Sequence, residues 1–474
     1  MEFSEWVNGM ADAHRKDLMK EHSKQCEKMY EDIIKGDGFY FRLVNKYVDG
    51  SEYRLEFSIL SADMLNYDQK MLNEIDKIDK IDLCFAYRPY FCEFISDYYG
   101  EDQLSGMLDK KNLLEHWYKG CFQTSGNNSP NDVVLDGILV FSASPIVYSK
   151  RSLHISDEVD EQTAKEIESC YALNNIPVAD NEDVQCIIDD CWQEDRINKI
   201  NIYNVGHGNC DYIVGRFHRI LYDIGMHYRV RRGVSGVVKE YPRASLAIRN
   251  IVPDVVILSH WDMDHVLGCV YAKQSLFEKV WIAPDTIRIN KQIGAKRLAK
   301  YLDRLGNLRL VSSNVDEPTR IACVNICKAQ NAHLTLWMGH GSDSKITDSN
   351  RRGLFLEIDM PEGESIAVLA GDVPYNCMPN SILTKDIKFL HVPHHGSDMA
   401  ISNLKRINKQ GKGICAIISE DEDARGCIRC DNKHKKILEE KFDAVIGVTE
   451  NIDHYDQGNL SVSINYSHSP FDIC

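Results

Sequence analysis

From Asn198 onward the chain repeats one texture: short apolar runs that each stop at Gly, Pro, Asp or His. They read "KINIYNV", "CDYIVG", "HRILYDIG", "DVVILSH", "KVWIAP", "LTLWMG", "GLFLEI", "SIAVLAGD", "IKFLHVPHH", "GICAIIS" and "DAVIGV". Runs of this length bounded by turn residues are strands, and the amphipathic stretches between them predict helices at about 266–277, 291–305, 399–409 and 432–441. Alternation of the two makes an α/β layered domain, in which functional groups collect at strand ends. The longest apolar runs, such as "VVIL" and "IAVLA", fall far short of the roughly 18–20 residues a membrane helix needs.

The first half is different in kind. Residues 1–195 carry 39 acidic against 19 basic side chains and the remainder 32 against 36, so the net negative charge belongs to the first half. The polar stretch "NNIPVADNED" places a linker there, with a domain boundary near residue 195. Before it, apolar residues at helical spacing run up to "KGDG", and "FYFRLVNKY" and "YRLEFSIL" flank "VDGSE" as a hairpin would, which predicts an α+β domain. No nucleophile is paired with a base in it. The amino end, "MEFSEWVNGMADAHRK", is charged from its second residue and lacks an apolar core, so the expected compartment is the cytoplasm. The sixteen scattered cysteines are then expected as reduced thiols.

Chemistry concentrates in "SHWDMDH", which places His260, Asp262, Asp264 and His265 directly after the apolar run "DVVIL". On a loop after a strand, residues two apart can converge on one point while His265 turns to a second. Two such points suit a pair of divalent cations. Further ligands are available from Asp372 in "LAGD" and from His394 and His395 in "HVPHHGSD", both following β-rich runs.

Taken in order, "HWDMDH", "LAGD" and "VPHHGS" resemble the metallo-β-lactamase superfamily, and specifically the hydrolase domain of ComEC-type DNA-uptake proteins. "IYNVGHGNCDYIV", "LYDIG" and "NRRGLFLEI" are similar to that family's opening motif, its strand-end Asp-x-Gly and its strand before the bridging aspartate. The resemblance covers about residues 198–466 and implies a four-layer αβ/βα sandwich preceded here by a separate α+β domain. It implies that His260 and Asp262 hold a first metal, Asp264 and His265 a second, that Asp372 bridges them and that His395 completes the second site. Asp223 would orient a ligand, and His394 would protonate the leaving oxygen if it is not itself the ligand. Asp262 stands where most of the superfamily has histidine, which adds Mn²⁺ and Mg²⁺ to Zn²⁺ as candidate cofactors. His340 and His333 are the candidates for a separate first-site histidine. Asn204, His207 and Asn209 stand where the family shows Asp, Gln and Asp.

Two further features have competing readings. Arg229, Arg231, Arg232, Lys239, Arg243 and Arg249, opposed by Glu240 alone, could bind a polyphosphate backbone near the mouth of the site or form ordinary solvated surface. Cys427 and Cys430 with His434 could be three ligands of a structural zinc, but no partner pair is evident. Cys323 and Cys327 read as core thiols.

The activity that follows is metal-dependent hydrolysis of a phosphodiester in DNA or RNA by a metal-activated hydroxide, with Asp264 and His394 in catalytic roles. Such a soluble chain would suit a cytoplasmic effector in defence against foreign nucleic acid. Hydrolysis of a small phosphoester or another ester is the alternative, as is a metal-binding module that regulates a partner through the acidic half.

Overall fold

The structure, a computed structural model, describes residues 3–35, 38–49, 52–74, 89–99, 113, 115–123, 133–142, 146–205, 208–226, 248–312, 316–328, 331–341, 349–360, 365–397, 403–408, 412–420, 432–449 and 460–463. Among them the chain forms mixed α/β structure in two compact units. No described helix is long and apolar enough to cross a membrane.

The first unit holds the described residues up to Leu173 and the distant segment Lys291–Gly306. Strands β1 (Phe39–Asp49) and β2 (Glu52–Leu60) form the expected hairpin, paired from Tyr40↔Leu60 to Asp49↔Glu52. They continue through β3 (Phe91–Tyr99), β4 (Tyr118–Gln123), β5 (Val133–Ser142) and β6 (Ile146–Glu158) into a closed barrel in the order β1-β2-β3-β5-β6-β4. Alternation along each strand sends Phe41, Leu43, Leu55, Phe57, Phe94, Leu139 and Leu153 into one buried cluster, each such side chain contributing about 1.5–3 kcal/mol on burial. Cys26, Met29 and Ile33 of the helix Phe3–Lys35 join it.

The helix Ile293–Leu305 also belongs to this unit. Its Ile293 enters the barrel cluster, and its Arg297, 2% exposed, reaches Asp68 with Nη2 at 2.8 Å and Nε at 2.9 Å. A buried guanidinium is tolerable only beside a carboxylate, and Asp68 lies in the first unit, so residues far along the chain are drawn to it.

The second unit contains two seven-stranded sheets. One has the order β12-β11-β10-β9-β8-β7-β20, from β7 (Ile197–Ile202), β8 (Asp211–Gly215), β9 (Arg219–Tyr222), β10 (Val255–Ile257), β11 (Val280–Pro284), β12 (Leu308–Val311) and β20 (Leu460–Ser463). The other runs β13 through β19 in sequence: β13 (Thr319–Cys327), β14 (Ala332–Met338), β15 (Leu354–Asp359), β16 (Ser365–Leu369), β17 (Asp386–His391), β18 (Gly413–Glu420) and β19 (Phe442–Thr449). Strands β9 to β12 are parallel, as are β16 to β19. Ile200, Ile213, Val255 and Ile257 from the first sheet share a buried cluster with Val324, Leu334, Leu356 and Leu369 from the second.

The boundary differs from the expected one near residue 195: the second unit begins at Asn174. The helix Asn181–Trp192, started by the Asp180 carboxylate on the N–H of Asp183, buries Val184, Ile188 and Trp192 in that unit's core. Its Glu182, Asp183 and Asp190 are exposed, and only its first three residues fall within the stretch "NNIPVADNED" whose polarity suggests a linker. Of the predicted helices, 291–305 and 432–441 form as Ile293–Leu305 and Asn432–Lys441. The stretch 266–277 breaks into short turns, Met263–Val266, Leu267–Tyr271 and Gln274–Phe277. The segment 399–409 lies partly outside the described residues, and its described part, 403–408, holds a turn at Leu404–Arg406.

Candidate metal centre

Four strand ends bring the site together. Chain leaving β9 supplies Asp223, β10 leads to Ser259 and His260, β16 to Asp372, and β17 to His394 and His395. These are carboxyl ends of parallel strands, where the sheet's own hydrogen bonding stops and side chains are free to face a ligand. Close approach is enforced at Gly371 (φ +53), where a Cβ would stand 2.5 Å from the Cβ of Ser259. Only glycine lets β16 bring Asp372 against the loop that carries His260.

Every imidazole of the cluster is anchored through Nδ1 and turns Nε2 inward. His265 is held by Asp223 Oδ2 at 2.7 Å, His260 by Ser259 Oγ at 3.0 Å, His394 by Ser397 Oγ at 2.6 Å and His395 by the carbonyl of Ser419 at 2.9 Å. Asp223 also accepts from the N–H of Ser259 at 2.6 Å and from its hydroxyl at 2.7 Å, so one buried carboxylate orients two neighbouring histidines. Partners of this sort fix the ring and leave the Nε2 lone pair for a ligand.

The inward atoms converge on three carboxylates, Asp372, Asp264 and Asp262. Asp372 Oδ1 lies 3.2 Å from His265 Nε2 and 4.0 Å from His395 Nε2, whereas its Oδ2 lies 3.7 Å from His260 Nε2 and 3.6 Å from His394 Nε2. Asp264 Oδ2 stands 3.1 Å from His395 Nε2, and Asp262 Oδ2 stands 3.6 Å from His260 Nε2. Ligand atoms of His260, Asp264 and His265 lie within 4.8 Å of one another, as do those of His265, Asp372 and His395.

Despite this crowding, His260 Nε2, His265 Nε2 and Asp372 Oδ1 are buried without a hydrogen-bond partner. Leaving such an atom unmatched costs about 1–3 kcal/mol. Metal–ligand bonds of about 2.0–2.2 Å at tetrahedral angles put ligand atoms about 3.4 Å apart, and the separations of 3.1 to 4.0 Å around Asp372 and Asp264 bracket that spacing. These buried His and Asp groups are therefore able to bind a metal ion.

The carboxylates make the cluster favourable to positive charge. Burial works against charge on Asp372, yet His265, His394 and His260 hold its carboxyl well below the usual range. Burial and then His265 oppose charge on Asp264 and favour it, respectively, and the net effect is again downward. The His265 imidazole is disfavoured by burial but raised well above its ordinary value by Asp372, Asp223 and Asp264. Burial lowers His394.

His394 and His395 have φ of 49° and 54°. Two successive non-glycine residues in the left-handed region cost about 1–2 kcal/mol each. That cost persists where the surroundings over-determine the conformation, characteristically at functional sites. Here the His394 N–H donates to the carbonyl of Gly371 at 3.1 Å and the Ser397 N–H to the carbonyl of His394 at 2.9 Å, clamping the turn so that both rings face Asp372.

Other expected residues fall elsewhere. His340 is not in either metal-capable group; its Nδ1 is 3.2 Å from the carbonyl of Cys377. His333 pairs with Asp359 at 3.3 Å. His434 spends both nitrogens on protein, Nδ1 on the Ser397 carbonyl at 3.0 Å and Nε2 on the Tyr375 hydroxyl at 3.2 Å, so it supports the turn after His395 and has no nitrogen left for zinc. Cys427 and Cys430 lie outside the described residues, as do His207, Arg229, Arg231, Arg232, Lys239 and Arg243. Arg249 lies 5.6 Å from the Tyr271 ring. Cys327 is in the core and Cys323 accepts from the Thr335 hydroxyl. Asn204 is described and Asn209 is buried with both amide atoms unmatched.

Residues not anticipated are the anchors Ser259, Ser397 and Ser419. Two had a visible signal, Ser259 by adjacency to His260 and Ser397 inside "HHGS"; Ser419 is 24 residues from the ring it holds and had none.

No family model matches the chain, and no curated protein matches it. Among solved structures it is similar to a chain described as a protein of unknown function from Enterococcus faecalis V583, at 10% identity over 54% of this chain and 78% of that one, with a TM-score of 0.25. A likeness that slight carries no argument.

Proposed function

We propose that this chain is a metal-dependent phosphodiesterase of the metallo-β-lactamase type, acting on DNA or RNA with two divalent cations. The observation that carries the reading is the division of Asp372: Oδ1 faces His265 and His395 while Oδ2 faces His260 and His394. One buried carboxylate between two imidazole pairs would suit two cations. Two seven-stranded sheets around a shared core, with the cluster at their strand ends, support the four-layer sandwich that goes with it.

In this reading His260, Asp262 and His394 serve the first cation, Asp264, His265 and His395 the second, and Asp372 both. His394 thereby moves from proton donor to ligand, because its ring faces the same oxygen as His260 at nearly the same distance and its other nitrogen is held by Ser397. Bound there, the cations would supply Lewis acidity, bringing the pKa of water toward neutrality and offsetting charge on a phosphoryl oxygen. Asp223 and the three serines keep the imidazoles aimed, so no reorganisation is needed during reaction. The basic run around Arg229, Arg231 and Arg232 favours a polyanionic substrate over a neutral ester.

The test is a time course with end-labelled single- and double-stranded DNA and RNA in Mn²⁺, Mg²⁺ or Zn²⁺, beside Asp264→Ala and a chromogenic phosphodiester. Metal-dependent cleavage of a polymer that is absent in Asp264→Ala is expected. Cleavage of no substrate in any metal, or cleavage that survives the substitution, overturns the proposal.

A further inference from the structure

One buried constellation lies behind the cluster. His391 Nδ1 lies 2.7 Å from Asp211 Oδ2, and His391 Nε2 lies 2.9 Å from Ser419 Oγ. Asp, His and Ser in this order are the parts of a hydrolytic triad. Yet the three are 0%, 1% and 2% exposed, so no substrate reaches the hydroxyl, and a nucleophilic role has no access.

The chain of bonds does not end at the hydroxyl. The backbone carbonyl of the same Ser419 accepts from His395 Nδ1 at 2.9 Å, and His395 Nε2 stands 3.1 Å from Asp264 Oδ2. A carbonyl can only accept, so His395 must carry a proton on Nδ1, and its neutral form keeps the lone pair on Nε2, facing Asp264. On the other side, the Asp211 carboxylate accepts from His391 Nδ1–H, which leaves His391 Nε2 to accept the Ser419 hydroxyl proton. Asp211 is on β8 of one sheet, His391 ends β17 and Ser419 lies near the end of β18 in the other. The bonds therefore tie the position of Ser419 to both sheets.

We propose that Asp211, His391 and Ser419 form a positioning relay that sets the tautomer and place of His395, and through it the affinity of the second cation site. The inference rests on the metal-dependent reading of the cluster and deepens it. His391 is a positioning residue: it touches neither cation nor substrate and acts through the Ser419 carbonyl. Removing such an outer partner typically weakens metal binding about 10–100-fold.

The experiment is Co²⁺ titration of the full chain, followed by visible absorption and by metal content after equilibrium dialysis, for wild type, His391→Phe, His391→Gln, Asp211→Asn and Ser419→Ala. Wild type is expected to bind two ions. In His391→Phe one ion should keep its wild-type affinity and the other should weaken about 10–100-fold, with a changed absorption band for that ion alone. His391→Gln can still donate to Asp211 and accept from Ser419, so it should recover most of the loss; a merely space-filling role predicts no such rescue. Ser419→Ala, which deletes one hydroxyl and is the variant least able to disturb folding, should show a smaller loss at the same ion. Two ions at wild-type affinity and spectrum in folded Ser419→Ala and Asp211→Asn overturn the relay while leaving the metal reading intact. A folded wild-type chain that binds no Co²⁺ overturns both.

Discussion

Two buried charged clusters lie in the two units, and they treat their polar atoms in opposite ways. In the first unit Asp68 accepts from Arg297 Nε, forms an ion pair with its Nη2, and accepts from the Tyr90 hydroxyl at 3.2 Å and from the Tyr171 hydroxyl. The guanidinium also donates to the Tyr90 carbonyl at 2.7 Å and lies 3.7 Å over the Tyr90 ring. Its bonds close on themselves. In the second unit the imidazoles are anchored on their outer nitrogens, while His260 Nε2, His265 Nε2 and Asp372 Oδ1 face a common centre unmatched. A closed network holds a fold together; an inward-facing set with unmatched atoms is built to hold something else.

The comparison breaks most decisively at the second cluster. Asp264→Ala should reduce the proposed phosphodiester cleavage to background while thermal unfolding shifts by only a few degrees, read by the labelled-substrate assay and by calorimetry on the same preparation. Loss of folding with loss of activity would make this cluster another structural network. The converse holds in the first unit. Arg297→Met strands Asp68 in the core and should cost about 3–5 kcal/mol in urea unfolding, with Co²⁺ affinity unchanged. Adding Asp68→Asn should return part of that stability.

Metal addition sharpens the contrast at a smaller scale. A divalent cation at a hundredfold excess over its dissociation constant should stabilise the second unit by about 2.7 kcal/mol. Asp372→Ala should abolish that gain and Arg297→Met should leave it, as followed by melting temperature against metal concentration.

The smallest effect concerns Glu93, inside the barrel unit and bonded to the Ser58 hydroxyl at 2.8 Å. Burial raises its carboxyl well above the ordinary value, against the Ser58 bond and with help from Glu56. The folded chain thus keeps a proton that the unfolded chain releases above about pH 4.3. The associated stability is complete below that pH and is lost as pH rises toward the folded-state value. Glu93→Gln should therefore stabilise the barrel by about 1–3 kcal/mol at pH 8 and by less at pH 5, as chemical denaturation at the two pH values will measure.

Much of the site was legible because its ligands sit in short motifs at strand ends. "HWDMDH", "LAGD" and "HHGS" each place charged residues directly after an apolar run, and strand periodicity carries them to one edge. The unit boundary was not legible, because the acidic surface of the helix Asn181–Trp192 hides a buried face of Val184, Ile188 and Trp192. Nor was the home of Ile293–Leu305, since its amphipathic pattern shows that the helix must bury a face but not against what.

The sequence by itself determined the α/β class of the second half, the barrel hairpin at "VDGSE" and the cluster of His and Asp residues, because these depend on local periodicity and on neighbours a few residues apart. Tertiary structure alone decided which unit receives Arg297, which oxygen of Asp372 faces which imidazole, and that Asp211, His391 and Ser419 meet behind His395. Those outcomes depend on hydrogen-bond geometry between residues as far apart as Asp68 and Arg297 or Asp211 and His391, 229 and 180 positions along the chain, where a shift of an ångström makes or breaks the bond and no local pattern records it.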